Sequence, residues 1–317
     1  MMPLNIHSEP DDLQEGLFGQ VILYIFETLP YFYENNIYPS WDICAKLYGY
    51  NSRNLVIPGA FDLAYQIPRN AMMDLSIDCV REEKCYVLGS NWCKLSEIWH
   101  TYFSIPKRIQ ASTSLLGDMT KTLGIHYRGN DKQYSTWDTN PVSPTDFLAV
   151  INDFLTNNHH LDINRIFLAS DDVDFHSFLK SNTKINIVNI GNGGFHKDIS
   201  SNDSLSKKTD TAIADCYALS KCNTVLCTSS ALSAFAKILN KDLSIFRIAA
   251  SKKFADIPYF PIAYIPPYKS TDYKVQCLLE RLMQGDWTKE PNTDIYKTDF
   301  AYSIRDSLLL KKSSVIN

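Results

Sequence analysis

Three polar runs stand at the ends of apolar segments in the second half of this chain, and their residue types suit the binding of a phosphorylated ligand. The first is His126, Arg128, Asn130, Asp131 and Lys132 in GIHYRGNDK. The second is Ser170-Asp171-Asp172 in FLASDD, and the third is Thr228-Ser229-Ser230 in VLCTSSALSAFAKIL. Hydroxyls at a helix start coincide with unpaired backbone N–H groups and a partial positive charge, which makes an anion seat. A guanidinium such as Arg128 grips a diphosphate bidentately and matches a leaving group that gains negative charge. Each feature has a plainer alternative. Ser229 or Ser230 can simply cap the helix, and Arg128 can pair with Asp131 or Asp172. His126, two residues before Arg128 on a strand, shares its face, although a hydrogen-bonded core histidine is the ordinary fate of a His in an apolar strand. Asp171 and Asp172 read as a metal pair, as a helix cap, or as partners of a ribose or base edge. No further carboxylate or His cluster completes a set of metal ligands, so no metal is expected.

Two features are less specific. Asp215 falls mid-helix, either as a buried partner of the anion seat or as a solvated acid. Gly16 and Gly19, in Glu15-Gly16-Leu17-Phe18-Gly19-Gln20, would let backbone approach a phosphate closely at a helix start, or form a plain turn.

The elements that must position these residues follow from the hydrophobic pattern, in which short β-rich runs alternate with helix-length amphipathic stretches. The spacing predicts strands at 121–127, 165–169, 185–190, 224–227 and 243–248. It predicts helices at 144–156, 173–181, 211–221 and 231–240, with Ser143 as N-cap and Pro144 at the first helical position. Residues 195–209 read as a polar loop. Five strands with four crossovers make a doubly wound α/β domain from about 118 to 250, whose ligands bind beyond the carboxyl ends of the strands. The first 115 residues are less regular: 21–33 reads as a helix, and 55–57 and 85–88 as strands. Beyond 250, the Pro- and Tyr-rich stretch 257–268 reads as a loop, followed by helices at 275–283 and around 301–311.

Composition bounds the classes available. At 317 residues the chain has room for about two domains, and 45% apolar with 21% charged residues is ordinary globular usage. A net charge of −4 gives no bulk positive field for nucleic acid. No apolar run approaches the roughly 18 residues of a membrane span, no export signal is visible, and the eight cysteines contain no CxxC pair. A reducing, cytoplasmic setting is the expectation, with at most peripheral membrane contact through Leu308-Leu309-Leu310-Lys311-Lys312.

The three strand ends, in this order, resemble the three short motifs of the fucosyltransferase superfamily that includes the α1,6-fucosyltransferases, the nodulation fucosyltransferases and the protein O-fucosyltransferases. That pattern runs H-x-R-R-x-D-K, then a strand ending in [ST]-D-D, then D-x-x-x-L-S with a later [ST]-S pair. Here it is met by His126 to Lys132, by Ser170-Asp171-Asp172, and by Asp215 to Ser220 with Thr228-Ser229-Ser230, over about 115 residues. The GLFGQ segment is similar to the glycine-rich first-domain loop of the same superfamily. The resemblance implies a GT-B architecture, two Rossmann-like domains facing across a cleft: an acceptor-side α/β domain at 1–115 and a nucleotide-sugar-binding domain at 116–317, whose terminal helix can return to the first. It also implies GDP-fucose as donor substrate, no metal or other cofactor, and a glycan or glycolipid acceptor. His126 and Asp172 would contact the guanosine, Arg128 the β-phosphate, and Ser229 and Ser230 the diphosphate, with Asp215 in support. Asp138 would serve as base for the acceptor hydroxyl, with Asp131 as the alternative. The sequence departs from the α1,6-type motif at Gly129, where a second Arg would stand, and lacks the N-terminal anchor of secretory-pathway members. Two rivals remain at this point: a GT-B transferase with another nucleotide sugar, and a non-catalytic glycan- or nucleotide-binding protein.

Overall fold

The computed structural model describes residues 4–8, 16–67, 73–79, 92–129, 142–190, 204–228, 230–248 and 263–265. The chain is α/β and divides into two compact units. The first comprises Met1–Gly117, His196–Ser220 and Phe235–Lys241; the second comprises Asp118–Phe195, Lys221–Ala234 and Asp242–Asn317.

In the first unit, β1 (Leu4–His7), β2 (Ser40–Cys44), β3 (Leu55–Ile57) and β5 (Met73–Ser76) form a sheet of order β3-β2-β1-β5, while β4 (Asp62–Leu63) and β6 (Phe103–Ser104) make a small antiparallel pair. β1 runs parallel to both β2 and β5, and β3 is antiparallel at the edge. A π-turn, Leu17–Ile22, leads into α1 (Leu23–Glu34), and α2 (Trp92–Tyr102) and α3 (Lys107–Ser114) follow. An aromatic core holds this unit together. Trp99, fully buried, lies 4.6 Å from Phe103, 4.6 Å from Phe235 and 4.9 Å from Phe61, the last two edge-on.

The second unit is built on β7 (Thr122–Tyr127), β8 (Arg165–Ser170), β9 (Asn186–Val188), β10 (Thr224–Cys227), β11 (Ser244–Ile248) and β12 (Ala263–Ile265). Every pairing is parallel, in the order β12-β11-β10-β7-β8-β9. Counted in chain order this is 6-5-4-1-2-3, the doubly wound arrangement in which strand order reverses between β7 and β10. β7 is buried along its whole length, as a central parallel strand must be. Its odd positions Leu123, Ile125 and Tyr127 enter a core with Phe147 and Phe154 of α4 (Pro144–Asn157) and Phe175 of α5 (Val173–Asn182).

The helix starts follow the capping chemistry that the sequence predicts. Ser143 accepts the Asp146 N–H at 3.1 Å, and Pro144 occupies the first turn of α4. Two segments differ from expectation. α6 (Leu205–Lys221) begins six residues earlier than the pattern suggests, because Ser204 caps it by accepting the Lys207 N–H at 3.3 Å and the Gly49 N–H holds Thr209 at 2.8 Å. β12 lies inside the proline-rich stretch expected to be a loop and pairs with β11 at the edge of the described sheet. The strand expected at 85–88 and the helices expected at 275–283 and 301–311 lie outside the described residues. No helix among the described residues is long and apolar enough to cross a membrane.

Candidate functional site

The carboxyl ends of β7 and β10 are neighbours, with Cys227 in register with His126. Thr228 fastens them on both of its groups: its N–H donates to the His126 carbonyl at 3.0 Å, and its Oγ1 accepts the Arg128 N–H at 2.9 Å. Arg128 and the segment opening α7 (Ala231–Leu239) are therefore held together at the point where strand order reverses. His126 is buried at the end of β7.

The end of β8 supplies the third side. Arg128 Nε lies 3.2 Å from Asp171 Oδ2, with side chains 16% and 7% exposed, so the pair is largely withdrawn from water. Asp171 Oδ1 accepts the Gly129 N–H at 3.0 Å. Ser170 Oγ donates to the Tyr127 carbonyl at 2.7 Å and accepts the Asp172 N–H at 3.1 Å. Burial, with Asp172 and Asp171 adding to it, pushes the Tyr127 phenol up to about 12, so it stays protonated and donates to the Val142 carbonyl at 2.8 Å. The guanidinium thus has a carboxylate partner, as the plainer reading allows, and among the described residues that partner is Asp171. The pair carries no net charge.

Two other residues take capping roles. Asp172 accepts the Phe175 N–H at 3.0 Å as N-cap of α5, and Ser230 Oγ accepts the Leu232 N–H at 3.3 Å. Asp172→Ala should cost about 1 kcal/mol, whereas Asp172→Gly should cost only a few tenths, as capping requires. Equilibrium denaturation of the two variants checks this order.

Sequence reasoning left two residues of this end without a structural role. A Cβ on Gly129 would come within 2.1 Å of Asp172 Oδ2, so the turn exists only because position 129 has no side chain. His176, one turn into α5, is buried, and burial lowers its pKa. The first signal lies in the Gly itself; the second has none, since a His in an amphipathic helix reads as surface.

Gly16 and Gly19 belong to the first unit. The Gly16 N–H meets Gln20 Oε1 at 2.5 Å, and the Gly16 carbonyl accepts from Val21 at 3.1 Å, the wide spacing of a π-turn. Asp215 sits on α6, also counted in the first unit, and desolvation pushes its carboxyl up to about 7. Asp131, Asp138 and Ser229 lie outside the described residues. Among the described residues no group of three or more His, Cys, Asp or Glu side chains could hold a metal ion.

The Asp215 shift has a signed consequence. Between about pH 4, the unfolded carboxyl's range, and about pH 7 the folded chain retains a proton that the unfolded chain releases. Stability therefore falls as pH rises through that window and levels off above it. Asp215→Asn should raise the melting temperature by an amount that grows as pH climbs from about 4 to about 7 and is constant above that; parallel pH profiles for the two proteins would contradict this.

No protein-family model and no curated protein sequence matches the chain. Among solved structures, it is similar to the fucosyltransferase NodZ from Bradyrhizobium at 12% identity and a TM-score of 0.46, over 77% of this chain and 96% of that one. An Arabidopsis thaliana FUT1 mutant in complex with GDP shows 10% identity and a TM-score of 0.45, over 80% and 72%. A glycosyl transferase family 9 protein from Veillonella parvula shows 9% identity and a TM-score of 0.40, over 98% of each chain.

Proposed function

We propose that this protein is a glycosyltransferase of GT-B type that binds GDP-fucose at the carboxyl edge of its second unit and transfers the fucosyl group, with inversion, to a glycan or glycolipid acceptor. One observation carries the reading: three motif-bearing strand ends, separated by up to a hundred residues in the chain, are joined through Thr228, Arg128 and Asp171 at the reversal of a doubly wound sheet. An open α/β sheet binds its ligand at such a reversal.

In the proposed reaction the acceptor hydroxyl oxygen attacks the anomeric carbon from the face opposite GDP. The bond from that carbon to the β-phosphate oxygen breaks, and its electron pair leaves with GDP. The acceptor proton passes to a base, for which Asp138 is the candidate and Asp131 the alternative. Arg128 and the start of α7 at Thr228, Ser229 and Ser230 meet the charge that grows on the β-phosphate, which is the role a metal ion plays elsewhere. Asp171 orients the guanidinium before substrate arrives, so little reorganisation is needed during the reaction. His126 and Asp172 are proposed to meet the guanosine, and Asp215 and the Gly16–Gly19 turn to support the site. A cytoplasmic enzyme with at most peripheral membrane contact is the proposed setting.

Thermal shift with GDP, UDP and CMP tests the nucleotide, and incubation with GDP-fucose and a panel of glycans, read by mass spectrometry, tests transfer. Stabilisation by GDP and a mass gain of one deoxyhexose are expected. Stabilisation by UDP alone would overturn the donor assignment, and GDP binding without turnover would overturn the enzymatic one.

A further inference from the structure

The sheet of the first unit departs from a rule that the second unit obeys. Parallel strands are ordinarily covered on both faces and read as continuous apolar runs. In β1, β2 and β5 the residues instead alternate, and the registers align the alternation across all three strands. One face carries Ile6, Trp41, Ile43 and Leu75, and α1 covers it, with Phe32 meeting Trp41 edge-on at 5.7 Å. The other face is polar: Ser40 and Ser76 are buried on it, Asn5, His7 and Asp42 are half-buried, and Asp74 is exposed.

That polar face is built in rows. In the lower row Ser40 Oγ donates to Asn5 Oδ1 at 2.6 Å, and Asn5 Nδ2 donates to Asp74 Oδ1 at 2.9 Å, so hydrogen bonds tie three strands together. One pleat further along, at the carboxyl ends, His7 stands in register between Asp42 and Ser76. β1 is also where this sheet reverses, with β2 on one side and β5 on the other, and that edge is where open α/β sheets take ligands.

We propose that the row of His7, Asp42 and Ser76 recognises hydroxyl groups of the carbohydrate acceptor, an inference that rests on reading the chain as a glycosyltransferase. An imidazole, a carboxylate and a hydroxyl in register offer donors and acceptors at the spacing of adjacent strands, about 4.8 Å, which is close to the separation of equatorial hydroxyls on alternate carbons of a sugar ring. Two acids on this face, Asp42 and Asp74, select against an anion and for a neutral polyol. Asp42 keeps 39% of its side chain exposed, and Arg53 lies 3.8 Å away, so a diol can replace water on its oxygens without a buried ion pair having to break.

Ligand-observed NMR on the full chain, with methyl β-galactoside and methyl β-N-acetylglucosaminide as probes, tests this. At least one probe should bind the wild-type protein. His7→Ala and Asp42→Asn should each weaken that binding roughly tenfold, the effect of losing one good hydrogen bond to a charged or polar group. Both variants should keep the wild-type thermal shift with GDP, and Ser76→Ala replaces either one if it fails to fold. No binding of either sugar to the wild type, or wild-type affinity in the variants, overturns the inference. With GDP stabilisation intact, that failure leaves the transferase reading standing; absence of any GDP effect removes the reading itself.

Discussion

Arg128→Lys should lower the rate of transfer from GDP-fucose by about a hundredfold to a thousandfold, the usual cost of removing one directed donor from a developing oxyanion. Lysine keeps the charge and so leaves Asp171 partnered, but it lacks the planar fork that meets two phosphate oxygens at once. The more drastic Arg128→Ala is the poorer probe. Asp171 is only 7% exposed beside the guanidinium, and deleting the cation takes a charge partner from a buried carboxylate, at a cost on the order of 3 kcal/mol. An inactive alanine variant would thus report lost folding as readily as lost chemistry. Steady-state kinetics of the lysine variant, alongside its thermal unfolding, separates the two. Full activity would remove Arg128 from the mechanism.

Gly129→Ala should be the most destabilising small substitution at the site. The added methyl would lie 2.1 Å from Asp172 Oδ2 and 2.6 Å from its Cβ, far inside contact distance. Asp172 cannot swing away without giving up its bond to the Phe175 N–H and uncapping α5. Overpacking and the lost cap together should cost about 2 kcal/mol or more. The mechanism makes a sharper statement in a second background. In Asp172→Gly the obstructing carboxylate is gone, so Gly129→Ala should become nearly neutral there. Equal cost in both backgrounds, measured by denaturant titration, would show that the two positions do not interact.

The second unit was largely legible because each of its strands is a dense apolar run and each helix carries its own start signal, as at Ser143-Pro144 and Asp172. What escaped had no local signature. The first turn of α6 is polar and is held by Gly49, 160 residues away in the chain. β12 sits among prolines that ordinarily announce a loop. In the first unit, LNIH and SWDIC alternate polar with apolar residues instead of running apolar, so these strands looked like irregular chain. That Arg128, Asp171 and Thr228 stand at the ends of strands β7, β8 and β10 was readable from the pattern. The pairings were not: that Asp171 rather than its neighbour holds Arg128, and that Thr228 bridges two strand ends, depends on angles between side chains that spacing does not encode.

The most direct measurement is a binding cycle by calorimetry, in which wild-type protein and Arg128→Lys are each titrated with GDP and with GMP. If Arg128 holds the β-phosphate, the wild type binds GDP well above GMP, and the lysine variant loses most of that preference while its affinity for GMP is unchanged. If the substitution weakens GDP and GMP equally, or neither, the guanidinium does not touch the terminal phosphate and the account of this site is wrong.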